Sequence, residues 1–172
     1  MLLWILFSGN QPSKDTIHRY RSTWGDDYFS FWTHGCLFIV LNSQLYEDCS
    51  LTEDLASEQD EWLDQVLLET AKAKYTFVFQ HIPWFLKTPD EDKEYFNIET
   101  GLRKKMLNKF HDAGVSKIFC GHYHRNTGGL WFFIIPIFGI IELQDFQGFW
   151  VADLSLMLDV RNFYFILKNP LQ

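Results

Sequence analysis

Between Ser57 and Cys120 the hydrophobic period changes three times, and that alternation confines the chain to few architectures. From Ser57 to Lys74 the apolar positions Trp62, Leu63, Val66 and Leu67 recur at helical spacing. Tyr75-Thr76-Phe77-Val78-Phe79 is then a near-continuous apolar run, closed by Gln80-His81-Ile82-Pro83, as expected of a strand covered on both faces. A second helical period places Leu102, Met106, Phe110 and Ala113 on one face before Val115–Cys120 reads as another strand. Strands separated by helices pair in parallel through crossovers, so this stretch predicts an α/β fold.

The boundaries follow from cap chemistry. Ser57 with Asp60 three positions on predicts a capped start for the first of these helices, and Lys72 and Lys74 suit its end. Thr100 is expected to cap the second, and Gly114 to stop it. Upstream, Ser13–Arg21 forms a short helix with Ile17 and Tyr20 inward. Tyr28–Trp32 and Cys36–Leu41 form a hairpin around Thr33-His34-Gly35. Met1–Phe7 reads as a buried strand and not a leader, because it has no basic segment and only seven apolar residues.

With 172 residues the chain suits about one domain, and its charge narrows the partners. Fifteen basic against 22 acidic residues give −7, which repels phosphate backbones and anionic lipid, so no nucleic-acid partner is expected. Three widely spaced cysteines, Cys36, Cys49 and Cys120, fit neither a disulfide framework nor a zinc ribbon and point to a reducing, cytoplasmic setting. The apolar run Leu130–Ile141 is interrupted by Pro136 and Gly139 and falls short of the roughly 20 residues of a membrane span. From residue 130 onward the composition shifts to ten aromatic and six charged side chains. The expected division is therefore a domain over 1–129 and a divergent aromatic-rich tail over 130–172.

Polar groups fall at the ends of the predicted strands: Asn10 after the first, His81 after the strand at 75–79, and His122 with His124 after the strand at 115–120. Ligand sites of α/β sheets lie beyond the carboxyl ends of strands. In an extended segment His122 and His124, two apart, project to one side. Imidazoles aimed at one point suit a divalent ion, and an asparagine carbonyl suits harder ions. A single histidine at a strand end is usually a hydrogen-bonded turn residue, and it is the combination of strand-end positions that points to a metal. A structural zinc module from Cys120, His122 and His124 is a further reading, but no fourth ligand is evident. His18, His34 and His111 lack strand-end placement and read as surface residues.

Gly9-Asn10, Gln80-His81-Ile82-Pro83 and Gly121-His122-Tyr123-His124, in that order, together with Ser22–Trp32 and Glu61-Trp62-Leu63, resemble the second half of a calcineurin-like metallophosphoesterase over residues 8–129. The resemblance implies a truncated α/β/β/α sandwich lacking its first strands and helices. It implies two divalent ions, manganese, iron or zinc, and hydrolysis of phosphate monoesters, with serine/threonine phosphoproteins as substrates. By matching motifs, Asn10, His81 and His122 would hold one ion, His124 would contribute to the other, and Arg125 would assist phosphate binding.

The chain also departs from that pattern. The family's first two metal motifs, which bring carboxylates, lie upstream of the point where this sequence starts. Where the family's third motif continues with His and Asp, this chain has Gln11 and Pro12, and Gln carries no titratable proton for a leaving alcohol. Four neutral ligands poorly balance two divalent ions. The expectation is at most one weakly held ion, no intact catalytic set, and a choice between a phosphatase and a non-catalytic relative that binds partners.

Overall fold

The computed structural model describes residues 11–125, 128–131 and 135–139. The predicted opening strand at 1–7, Asn10, and the chain beyond residue 139 lie outside the described residues. In chain order the elements are α1 (Lys14–Trp24), β1 (Phe29–Thr33), β2 (Cys36–Val40), α2 (Gln44–Glu47), α3 (Glu53–Leu67), β3 (Tyr75–Gln80), α4 (Thr100–Asp112), β4 (Lys117–Cys120), β5 (Gly128–Trp131) and β6 (Ile135–Gly139). They make a six-stranded sheet in the order β1-β2-β3-β4-β6-β5. The α/β class read from the alternating periods is the class observed, with β2, β3, β4 and β6 parallel and antiparallel strands at both edges.

The β1–β2 hairpin closes through His34 and Gly35, both at positive φ, 50° and 76°. Such values are what a two-residue turn needs to match strand twist. β2 runs to β3 through α3, and β3 to β4 through α4. Leu37, Ile39, Val78, Ile118 and Cys120 on one sheet face pack with Leu63 and Leu67 of α3 and with Met106, Leu107 and Phe110 of α4 in one buried cluster. On the opposite face Phe31, Phe38, Phe79 and Phe119 stack across four strands at centroid spacings of 4.9, 6.1 and 5.0 Å. Pairs of this kind add about 0.5–1.5 kcal/mol beyond area burial.

Several boundaries differ from the sequence reading, among them the end of α3, which stops at Leu67 and is followed by a 3-10 helix over Leu68–Lys72 instead of running to Lys74. α1 begins at a Ser13–Thr16 capping box and runs to Trp24, three residues further than expected. α3 begins at Glu53 after Thr52, and Ser57 lies inside it, its hydroxyl donating to the Glu53 carbonyl at 2.9 Å. A serine that bonds back to the preceding turn serves the helix interior as readily as a cap. α4 is capped by Glu99, whose carboxylate accepts from the Gly101 and Leu102 amides at 2.8 and 2.9 Å, and not by Thr100. The sheet also continues past residue 129 into β5 and β6.

Polar clamps hold the connections that flank the carboxyl ends of the strands. Asp27, almost fully buried, accepts from Arg21 Nε at 2.5 Å and Asn42 Nδ2 at 2.9 Å, tying α1 to the end of β2. Arg103 of α4 is completely buried, and its guanidinium donates to the carbonyls of Ile98, Pro89 and Glu91 at 2.6–3.1 Å. Carbonyls replace its lost hydration, which is the condition for burying a guanidinium.

Candidate metal centre

His81 follows the last residue of β3, and His122 lies two residues beyond β4. The two strands are parallel neighbours with Gln80 opposite Cys120, so both segments leave the sheet at one level. Gly121 closes the gap: its amide donates to the His81 carbonyl at 2.9 Å, and a Cβ there would sit 3.2 Å from His81 Nδ1. The absent side chain lets the two turns touch. Ser43, at the end of the segment leaving β2, accepts from the His81 and Ile82 amides at 3.2 and 2.9 Å and fixes the turn from the other side.

The result is a close imidazole pair. His81 Nε2 lies 3.2 Å from His122 Nδ1, with ring centroids 4.9 Å apart. Two nitrogens each at 2.0–2.1 Å from one tetrahedral zinc ion would be separated by about 3.3 Å, so the spacing fits two ligands of one ion as well as a hydrogen bond. His122 and His124 both have left-handed backbone, φ 69° and 54°. The Gly121–Arg125 segment is thus a strained turn and not the extended segment from which their shared direction was inferred. Non-glycine residues held there cost about 1–3 kcal/mol and concentrate at functional sites.

Electrostatics keep the pair neutral. Burial, followed by the neighbouring His122 and then His124, pushes His81 down to about 4. His122 also lies below its ordinary value, mainly through burial. Neutral imidazole is the metal-binding form. His81 Nδ1 is buried and has no hydrogen-bond partner.

The remaining expected members divide. His124 is exposed and interacts electrostatically with both rings. Arg125 is exposed too and lies over the Tyr123 ring, 5.8 Å from its centroid. Among the described residues no set of three or more His, Cys, Asp or Glu side chains converges in an arrangement able to hold a metal. Cys120 is fully buried beneath the turn, and burial raises its thiol to about 12. A zinc-bound thiolate at Cys120 is thereby disfavoured. The described residues bring two imidazole nitrogens to ligand spacing, with neither a third such ligand nor a carboxylate beside them.

Sequence reasoning missed Ser43 and the 84–98 segment that borders His122 through Tyr95 and Phe96, at ring centroid distances of 5.2 and 5.3 Å. Two signals were available. Asn42-Ser43 also follows a strand, and a connection this long without regular structure is uncommon unless it serves a site.

No family model matches the chain. It is 50% identical over 123 residues to the serine/threonine-protein phosphatase CPPED1 of Rattus norvegicus, a match covering 70% of this chain and 39% of that protein. The Homo sapiens protein of that name is 51% identical over 124 residues, and the Danio rerio protein 47%, each match covering 70% of this chain and 40% of the relative. The chain therefore spans about two fifths of the length of these relatives. Among solved structures, GAP50, described as the anchor in the inner membrane complex of Plasmodium, has a TM-score of 0.52 at 14% identity. That match covers 70% of this chain and 38% of that one and supports the fold alone. The resemblance drawn from the sequence is borne out to this extent: over the matched residues the chain is about half identical to serine/threonine-protein phosphatases named CPPED1. No helix among the described residues is long and apolar enough to cross a membrane.

Proposed function

We propose that this chain carries the imidazole portion of a metal-dependent phosphoesterase site whose substrates are serine/threonine phosphoproteins. The observation that carries the reading is the 3.2 Å approach of His81 Nε2 to His122 Nδ1 at the ends of parallel strands, in a segment half identical to serine/threonine phosphatases. His81 and His122 hold one divalent ion through these nitrogens, and Asn10 and His124 are the further candidate ligands. Imidazole donors favour zinc or iron over manganese. A bound divalent ion supplies polarisation of a phosphate oxygen and a more acidic water. Arg125, on the same turn, is the candidate contact for the phosphate.

A second reading, a non-catalytic relative that binds partners through the same surface, is favoured by the lack of any three-residue metal set among the described residues. Calorimetric titration of zinc into the dialysed chain, paired with a phosphoserine-peptide phosphatase assay, tests both. One weakly bound ion per chain, lost in His122→Ala, supports the cation reading. No binding, or two tightly held ions, refutes it. Turnover abolished in His122→Ala supports the enzyme, and equal release from both proteins supports the non-catalytic relative.

A further inference from the structure

β1 is an unguarded edge. Among the described residues it has one neighbour, β2, in an unbroken antiparallel register from Phe29 opposite Val40 to Thr33 opposite Cys36. Edge strands are normally protected by a charge, a proline, a bulge or a covering element. Phe29-Ser30-Phe31-Trp32-Thr33 has neither charge nor proline, and its register carries no bulge. Nor is it covered: Phe29, Phe31 and Trp32 are 41%, 37% and 45% exposed, and Ser30 between them is exposed too.

The hairpin decides which groups the edge offers. Its two-residue turn at His34-Gly35 makes Thr33 and Cys36 the closing pair, which exchanges both backbone hydrogen bonds, and bonding then alternates along the ladder. Phe31 and Phe29 therefore also bond to β2, whereas the amides and carbonyls of Ser30 and Trp32 point out of the sheet. Side chains alternate as well. Phe29 and Phe31 lie on the face of the phenylalanine ladder, where Phe31 stacks on Phe38 at 4.9 Å, and β1 is the outermost strand of that ladder among the described residues.

An extended strand laid antiparallel on β1 satisfies these groups, and β1 is itself such a strand. With a two-fold axis through Ser30, the two Ser30 residues exchange their backbone hydrogen bonds. Phe29 of each copy then stands opposite Phe31 of the other in a non-hydrogen-bonded pair, where side chains approach most closely. Aromatic pairs at such positions are stabilising, and the phenylalanine ladder runs on across the junction. An axis through Phe31 would set Phe29 against Thr33 and lose those pairs. The ends of the strand match in charge. At its start, exposed Asp26 and Ser30 line a groove with Trp62, and Trp62 lines the next groove with exposed Glu58 and Glu61. At its end, exposed Lys74 is tied to the turn by its amide, which donates to the Gly35 carbonyl at 2.8 Å. Antiparallel pairing brings the acidic end of each copy toward the Lys74 end of the other, which fixes orientation.

We infer that β1 is a homodimer interface: two copies of this chain join edge to edge about a two-fold axis at Ser30, merging their sheets into one. The contact is isologous and closes on itself. Its small extent makes the dimer weak and concentration-dependent. The inference does not depend on the cation site.

Sedimentation velocity of the full chain between about 1 and about 100 μM reads the association, the range suited to a weak interface. The unsubstituted chain is expected to pass from monomer to dimer. Ser30→Lys and Ser30→Glu each set like charges directly opposite at the axis and should weaken the dimer about 5- to 10-fold, and their equimolar mixture should restore it. A chain that stays monomeric throughout overturns the inference, as does a series of larger species in place of a dimer. So do folded Ser30 variants that associate as the unsubstituted chain does. Amide hydrogen exchange of the unsubstituted chain at both ends of the range needs no variant. The Ser30 amide should exchange more slowly at the higher concentration, while the Phe31 amide, already bonded to β2, is unchanged. Equal Ser30 exchange at both concentrations overturns the inference even where a dimer forms, because the copies are then joined elsewhere.

Discussion

Acid should weaken this fold through His81 before it weakens it through carboxylates. The imidazole is 5% exposed and faces two other histidines, and its folded value is about 4 against the ordinary 6.5. Between those values the unfolded chain binds a proton that the folded chain refuses. Stability therefore rises with pH across that window, is fully present above about 6.5, and is lost as pH falls toward 4. From pH 7.5 to pH 5 the loss from this group amounts to about 2 kcal/mol, and the full shift is worth about 3 kcal/mol. Glu91 responds later. Burial acts to raise it, but hydrogen bonds from Asn97 and the Leu86, Lys87 and Thr88 amides prevail and hold it below the ordinary carboxylate value. Urea denaturation followed by tryptophan fluorescence, with chelator present, measures the slope for the unsubstituted chain and for His81→Gln, which does not titrate. The unsubstituted chain should lose about 2 kcal/mol more than the variant between pH 7.5 and pH 5. Equal pH slopes for the two proteins would show that the folded state accommodates the charged imidazole, and the argument from burial would fail.

Replacing Arg103 by Met strands the Ile98, Pro89 and Glu91 carbonyls; a loss of about 2–4 kcal/mol is expected, with new proteolytic cuts confined to 84–98. Leu63→Ala removes a fully buried side chain between α3 and the sheet and should cost about 2–5 kcal/mol in urea midpoint analysis. In Gly129→Ala the new Cβ would lie 2.6 Å from Phe85 Cε2, so the core anchor of the 84–98 segment must shift, and thermal melting should show a loss of about 1–3 kcal/mol. Asp27→Ala leaves Arg21 Nε and Asn42 Nδ2 without their shared acceptor, and its denaturation midpoint should fall by the equivalent of about 2–3 kcal/mol.

What the sequence disclosed was whatever is periodic or local. The parallel strands β3 and β4 and the helices α3 and α4 that precede them were legible because burial on both strand faces and on one helix stripe is written directly in residue order. Gly114, at φ 77°, ends α4 as a left-handed terminator should. The start of α3 was misplaced because Thr52 and Ser57 both precede acidic residues, and nothing local ranks one above the other. The site divided on the same line. His81 and His122 announce themselves by following strands, but the groups that hold them act across the chain, with Ser43 reaching 38 and 39 positions to the His81 and Ile82 amides. The shared direction of His122 and His124 was inferred from strand alternation, but both lie in a turn with left-handed backbone, which no periodicity encodes.

The charge of the pair then limits what it can do. Two imidazoles with Nε2 and Nδ1 3.2 Å apart can share one proton in a hydrogen bond or, in the proposed reading, direct both nitrogens to one cation, and each arrangement excludes the other. Protonation of His81 is opposed by burial and by its histidine neighbours, so at neutral pH the imidazole is neutral, the form that the proposed cation requires. A second divalent ion beside the first would meet repulsion that neutral donors cannot offset, because no carboxylate converges on the pair among the described residues. Adding a negatively charged ligand near His81 and His122 is therefore the physical condition for a two-ion centre. A synthetic carboxylate there, for example through Tyr123→Asp on the same turn, should tighten zinc binding in calorimetry, and unchanged affinity would mean that charge is not what restrains the site.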